Sequence, residues 1–201
     1  MKLQFLLPVL LVLPFAAASA IAADCCCAKP AGPEAAPAAF TRESIYQLDG
    51  RFTDDSGRDF ALGALRGHPV VLAMFFASCG SACPMTVTDL LALQARLATA
   101  DRAQVRFVLV SFDSSRDTPE ALARYRNQRG LDRQWVLLHG ADGPVRELAA
   151  LLGVKYQRGE DGSYAHSNLF TVLNREGEIV HQRTGLVGGL DEAAAALAAT
   201  R

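Results

Sequence analysis

The unbroken apolar run Val70-Val71-Leu72-Ala73-Met74-Phe75-Phe76, directly behind the turn Gly67-His68-Pro69, constrains this chain most. A segment apolar at every position has no face to turn to water, so it suits a strand covered on both sides, as in the middle of a parallel sheet. The segment behind it supplies a cover: Met85, Leu90, Leu91, Leu93 and Leu97 recur at helical spacing over residues 84–97. A second buried strand is predicted over residues 105–112. Thr118 then caps a helix that has Pro119 at its first position, runs to about Arg129 and stops at Gly130. A short third strand follows over residues 135–138, and a helix over 142–152 ends at Gly153. Residues 169–173 and 179–183 read as a hairpin around Asn174-Arg175-Glu176-Gly177, and an alanine-rich helix over 190–199 closes the chain. Ahead of all this, residues 45–52 and 58–60 are predicted as a hairpin through Asp54-Asp55-Ser56-Gly57. The pattern gives an α/β sandwich: a central mixed sheet flanked by helices, with an extra N-terminal β-hairpin.

Half of the 201 residues are hydrophobic, enough for one packed core. Twenty basic residues against twenty-one acidic ones leave no excess of positive charge for nucleic acid, and none is expected as a partner.

The N-terminus reads as an address. Lys2 precedes a nearly continuous apolar stretch over residues 3–18, and small residues follow through Ala23. This is the layout of a secretory signal peptide over residues 1–23; an uncleaved membrane anchor is the other reading, and Pro14 and the alanine-rich end favour cleavage. Residues 24–40, rich in alanine and proline and opening on Asp24-Cys25-Cys26-Cys27, read as a flexible tether. The folded domain is expected over 41–201, exported to the periplasm and attached to a membrane through the N-terminus if at all. Asp24 before Cys25 and Ala22 in place of a leucine speak against a lipidated cysteine. The cysteine triplet reads either as a metal-capturing arm or as thiols that oxidise at random in an exported compartment.

The chemistry sits where the first buried strand meets the first helix, at Cys79-Gly80-Ser81-Ala82-Cys83-Pro84. Unpaired amides and the helix dipole at such a position favour thiolate over thiol, the form that binds metal or attacks a disulfide. Spaced four positions apart, with three residues between them, Cys79 and Cys83 can close a disulfide or hold one metal ion. Thioredoxin chemistry uses a Cys-x-x-Cys pair faced by a proline before a later strand. Here one more residue separates the cysteines, and Ala165-His166-Ser167-Asn168 stands before the strand at Leu169 with no proline. Two sulfurs and an imidazole would make a three-coordinate site, and soft thiolates select Cu(I) or zinc. Asp113, at the end of the second strand, is read as an acceptor beside the site, a docking residue or a turn aspartate; Arg116 and Asp117 are read as a local ion pair. His68, His139 and His181 are read as surface or turn residues.

At these residues the chain resembles the Sco (SenC/PrrC) family of copper-binding proteins, which have a thioredoxin-like fold. The resemblance lies in Phe76-Ala77-Ser78-Cys79-Gly80-Ser81-Ala82-Cys83-Pro84, in Ser111-Phe112-Asp113-Ser114-Ser115-Arg116-Asp117-Thr118-Pro119 and in Tyr164-Ala165-His166-Ser167, and spans roughly residues 46–185. Gly80 and Ser114 depart from it, each standing where the family often has proline. The resemblance implies one copper ion per domain held by Cys79, Cys83 and His166, delivery to the dinuclear copper site of cytochrome c oxidase, and a thiol reductant as a second partner. The rival reading is a thiol–disulfide oxidoreductase that reduces the acceptor's cysteines with Cys79 and Cys83. A peroxiredoxin-like peroxidase fits less well, because it needs one peroxidatic thiol and makes no use of a second cysteine four residues on.

Overall fold

The computed structural model describes residues 39–80, 82–160 and 162–200. The readings of a leader, of a tether and of Cys25, Cys26 and Cys27 fall outside these. Within them the chain runs β1 (Arg51–Asp54), β2 (Asp59–Ala61), β3 (Val70–Phe75), α1 (Ala82–Arg96), α2 (Thr99–Gln104), β4 (Arg106–Ser111), α3 (Pro119–Arg129) and β5 (Trp135–Gly140). It continues α4 (Asp142–Leu152), β6 (Tyr156–Arg158), β7 (Tyr164–His166), β8 (Leu169–Leu173), β9 (Ile179–Thr184) and α5 (Leu190–Ala199). Among the described residues there is a seven-stranded sheet in the order β2-β1-β5-β4-β3-β8-β9, and β6 and β7 form a separate two-stranded ribbon.

The sheet is mixed, as the alternation of patterns requires. β3, β4 and β5 are parallel neighbours joined through helices, while β1, β2, β8 and β9 pair antiparallel around them. Every residue of β3 is buried, which accounts for the absence of polar positions in that run. Thr118 caps α3 by accepting from the Ala121 amide at 3.3 Å, with Pro119 behind it and Gly130 in the left-handed conformation at the far end. Helix α5 packs against α1 and against β8 and β9.

Three local expectations are corrected. Residues 45–47 form a 3₁₀ turn rather than the start of a strand, because the Ser44 hydroxyl takes the Tyr46 amide at 3.2 Å and bends the chain; the hairpin strand begins only at Arg51. Helix α1 starts at Ala82, not at Pro84, so Cys83 lies inside the first turn instead of before it. The segment ahead of β8, to which the sequence reading gave no element, is the β6–β7 ribbon. Its strands are only three residues long and largely polar, so they carry no hydrophobic period to detect. Among the described residues no helix is long and apolar enough to cross a membrane.

Sheet register explains why the late segment matters. β8 runs antiparallel to β3 with Ala73 opposite Phe170 and Val70 opposite Leu173. The start of β8 is therefore carried to the C-terminal end of β3, the end that feeds the cysteine loop. Whatever stands just before Leu169 must lie over that end of the sheet.

Candidate metal centre

Cys79 follows β3 and Cys83 sits in the first turn of α1. The Cys83 amide, one of the helix-start donors without a partner along the helix, donates to Cys79 Sγ at 3.4 Å, so the first sulfur folds over the mouth of the helix. The Cys79 amide in turn donates to the Phe76 carbonyl at 3.2 Å. Both cysteines are thiols, Cys79 half-buried and Cys83 buried at 1 % exposure.

His166 ends β7 and leans back over this pair. Its Nε2 lies 3.6 Å from Cys83 Sγ, and its Nδ1 lies 3.2 Å from the Ser167 carbonyl oxygen. A carbonyl only accepts, so Nδ1 carries the proton and Nε2 turns its lone pair toward the sulfurs, the tautomer a metal ligand needs. The ring is fixed by an aromatic wall: Phe112 at 5.3 Å and Phe76 at 6.0 Å, with Tyr164 and Tyr156 stacked around them.

The ligand atoms of Cys79, Cys83 and His166 all lie within 4.8 Å of one another. A three-coordinate ion with bonds of about 2.0–2.3 Å spaces its donors roughly 4 Å apart, so closure needs only side-chain adjustment. Two sulfurs and one imidazole are a soft donor set. The group can hold one metal ion.

Electrostatics correct one expectation. The helix mouth was predicted to favour thiolate at both cysteines, but burial dominates at Cys83. It pushes the thiol up to about 12; a hydrogen bond from the Phe76 backbone opposes this, while Cys79 and the charge of Asp117 add to it. Without metal, Cys83 keeps its proton at neutral pH, and an incoming cation has to displace it.

The loop after β4 was misread in its pairing. Arg116 pairs through Nε with Asp113, not with Asp117. Asp113 is fully buried, and its Oδ1 accepts from Ser115 Oγ at 2.9 Å and from Tyr164 O–H at 3.4 Å. Asp117 instead takes the Ser111 hydroxyl at 2.6 Å and the Ala77 amide at 2.8 Å on Oδ2, anchoring the start of the cysteine loop. Burial raises the Asp117 carboxyl, those two donors counter it, and Asp113 raises it further. Asp113 thus stands outside the metal group, linked through the Tyr164 hydroxyl to the aromatic wall that holds His166. The aromatic wall escaped the sequence reading, although Tyr156 and Tyr164 flanking Gly159 and Gly162 were the available signal. Among the described residues His68, His139 and His181 do not join the cluster.

The SCO1/SenC family model matches residues 41–200. The SCO1 protein homolog of Bacillus subtilis (strain 168) is 26 % identical over 140 residues, covering 67 % of this chain and 72 % of that protein. Among solved structures, a SCO1/SenC family lipoprotein from Bacillus anthracis str. Ames superposes with a TM-score of 0.68 at 22 % identity, covering 75 % of this chain and 91 % of that one. Arabidopsis thaliana ScoI, solved with copper bound, gives 0.66 at 21 % identity, covering 75 % and 94 %. Both share the fold described above.

Proposed function

The chain belongs to the SCO1/SenC family, and from that premise we propose that it is a copper carrier, binding one copper ion through Cys79 Sγ, Cys83 Sγ and His166 Nε2. The observation that carries this reading is the convergence of those three donors, from two distant parts of the chain, with the imidazole lone pair aimed at the sulfurs. A three-coordinate site leaves a position open, so an acceptor thiolate can enter and take the ion by ligand exchange. The proposed acceptor is the dinuclear copper site of cytochrome c oxidase; Bacillus subtilis Sco is itself described as a member of a family of cytochrome c oxidase assembly proteins. In this reading residues 1–23 export the chain, residues 24–40 tether it and residues 41–201 carry the ion on the outer side of the membrane.

Oxidation of both thiols to a Cys79–Cys83 disulfide releases two protons and two electrons and removes both sulfur donors. Loading in an oxidising compartment therefore calls for a thiol reductant as partner. The same geometry supports a second reading, a thiol–disulfide oxidoreductase. One sulfur is half-buried and able to attack, and the other is buried behind it and able to resolve.

Metal analysis of the reduced protein after exposure to Cu(I) separates the two. The carrier reading expects one copper per chain, lost in Cys79→Ser/Cys83→Ser and weakened in His166→Ala. Binding that survives loss of both cysteines would point away from this site, and full function in His166→Ala would favour the reductase.

A further inference from the structure

The β6–β7 ribbon that carries His166 pairs with no strand of the main sheet. Its place is set by what holds it to the body. On one face this is the aromatic wall, Phe112 against Tyr156 at 4.8 Å and Phe76 against Tyr164 at 5.2 Å. Besides the approach of His166 Nε2 to Cys83 Sγ, polar ties described for the ribbon run to the loop after β4. Arg116 Nη2 donates to the Gly162 carbonyl in the ribbon turn at 2.7 Å, its Nε pairs with Asp113, and its guanidinium lies 5.8 Å from the centre of the Tyr164 ring. Tyr164 O–H reaches the same Asp113. A carboxylate that is fully buried has to keep its partners, so Asp113 is a fixed post, and the planar fork of Arg116 is what lets one side chain bind that post and the ribbon turn together.

We propose that Arg116 is a positioning residue: by bridging the Asp113 carboxylate and the Gly162 carbonyl it latches the β6–β7 ribbon down and holds His166 within reach of both sulfurs. The assignment rests on His166 being the third donor. With the latch closed the site has two sulfurs and a nitrogen; with the latch released it has two sulfurs, and the ion is easier to pass on. The contacts described for Arg116 are with Asp113, Gly162 and Tyr164, so its effect on the site is expected to travel through the ribbon and His166.

The test uses the reduced full chain. Arg116→Lys keeps a cation beside Asp113, but a point charge cannot serve two acceptors in a fixed fork. Without metal, amide hydrogen exchange over residues 156–166 is expected to rise about tenfold, with β3 and β4 unchanged. Cu(I) affinity, read by competition with a chromophoric chelator, is expected to fall about tenfold, as for partners that orient a ligand. X-ray absorption of the loaded protein should lose its nitrogen scatterer. That loss of affinity should vanish in a His166→Ala background. Asp113→Asn/Arg116→Met removes the pair, the buried carboxylate and its exposed partner, as a unit and should give the same results if the lysine variant does not fold. Parental ribbon exchange in these variants overturns the latch, and so does an affinity loss of equal size with and without His166. If His166→Ala binds Cu(I) as tightly as the parent, the ligand reading falls and takes this assignment with it; faster ribbon exchange in Arg116→Lys would show that case apart.

Discussion

Cys83 Sγ and His166 Nε2 come from positions 83 residues apart and meet at 3.6 Å. One is locked in the first turn of a helix and the other ends a short ribbon outside the main sheet. The proposed metal group thus joins a sulfur pair at a helix start to a third donor carried outside the main sheet, and the behaviour of the protein should divide along that line.

Copper uptake should depend on pH through Cys83. Its thiol is pushed up to about 12, chiefly by burial, so it is protonated at neutral pH and binding must release its proton. Below that value the logarithm of the apparent Cu(I) affinity should climb by at least about one for each pH unit. Competition titrations between pH 6 and 8 measure the slope, and a flat profile would show that Cys83 is not a ligand.

Copper should stabilise only the reduced protein. A ligand present at a thousandfold excess over its dissociation constant contributes about 4 kcal/mol to the folded state. For a domain of this size that is roughly 10 °C in Tm. The reduced protein should show such a shift on adding Cu(I), and the oxidised protein should show none. Calorimetry of the two forms side by side provides the check.

Asp117 should matter as an acceptor and not as a charge. Asp117→Ala leaves the Ala77 amide and the Ser111 hydroxyl without their partner, and should cost about 2–4 kcal/mol in urea unfolding. Asp117→Asn keeps an acceptor oxygen and should fold well. The carboxyl is raised, mainly by burial, so its ionised form burdens the folded state. Relative to the parent, Asp117→Asn should therefore gain stability as pH rises through the carboxylate range, and the difference should vanish in acid.

Asp54 should behave in the opposite sense. Burial alone would raise its carboxyl, but hydrogen bonds from Ser56 and Arg58 outweigh that and bring it down to about 2. A carboxyl lowered by folding stabilises the protein above its unfolded value, and that contribution is lost as pH falls through the folded one. Asp54→Asn should cost about 1–2 kcal/mol at neutral pH, and that cost should be largely gone only once the pH has fallen below about 2. Acid unfolding curves of the two proteins should therefore converge from above pH 4 downward.

Much of the architecture was legible in the sequence because it rests on patterns of local origin. The all-apolar run at β3 announces a strand covered on both faces. Thr118 and Pro119 mark the start of α3, and Gly130 and Gly153 mark helix ends, through backbone chemistry that needs no distant partner. The Cys79 and Cys83 spacing at a strand–helix junction, and His166 ahead of a late strand, pointed to the three side chains that the fold brings together. The ribbon left no such trace, because three-residue polar strands have no period and draw their stability from rings packed across the fold. The pairing of Arg116 was equally hidden: Asp113 and Asp117 lie three residues before it and one after, and only the burial of both and the position of Gly162 decide between them. Local chemistry along the chain thus set the elements and marked the candidate donors. Tertiary structure alone decided that the sulfurs and the imidazole meet, that Cys83 keeps its proton and which residue holds the ribbon down, since each depends on burial and distance between segments that the chain order keeps far apart.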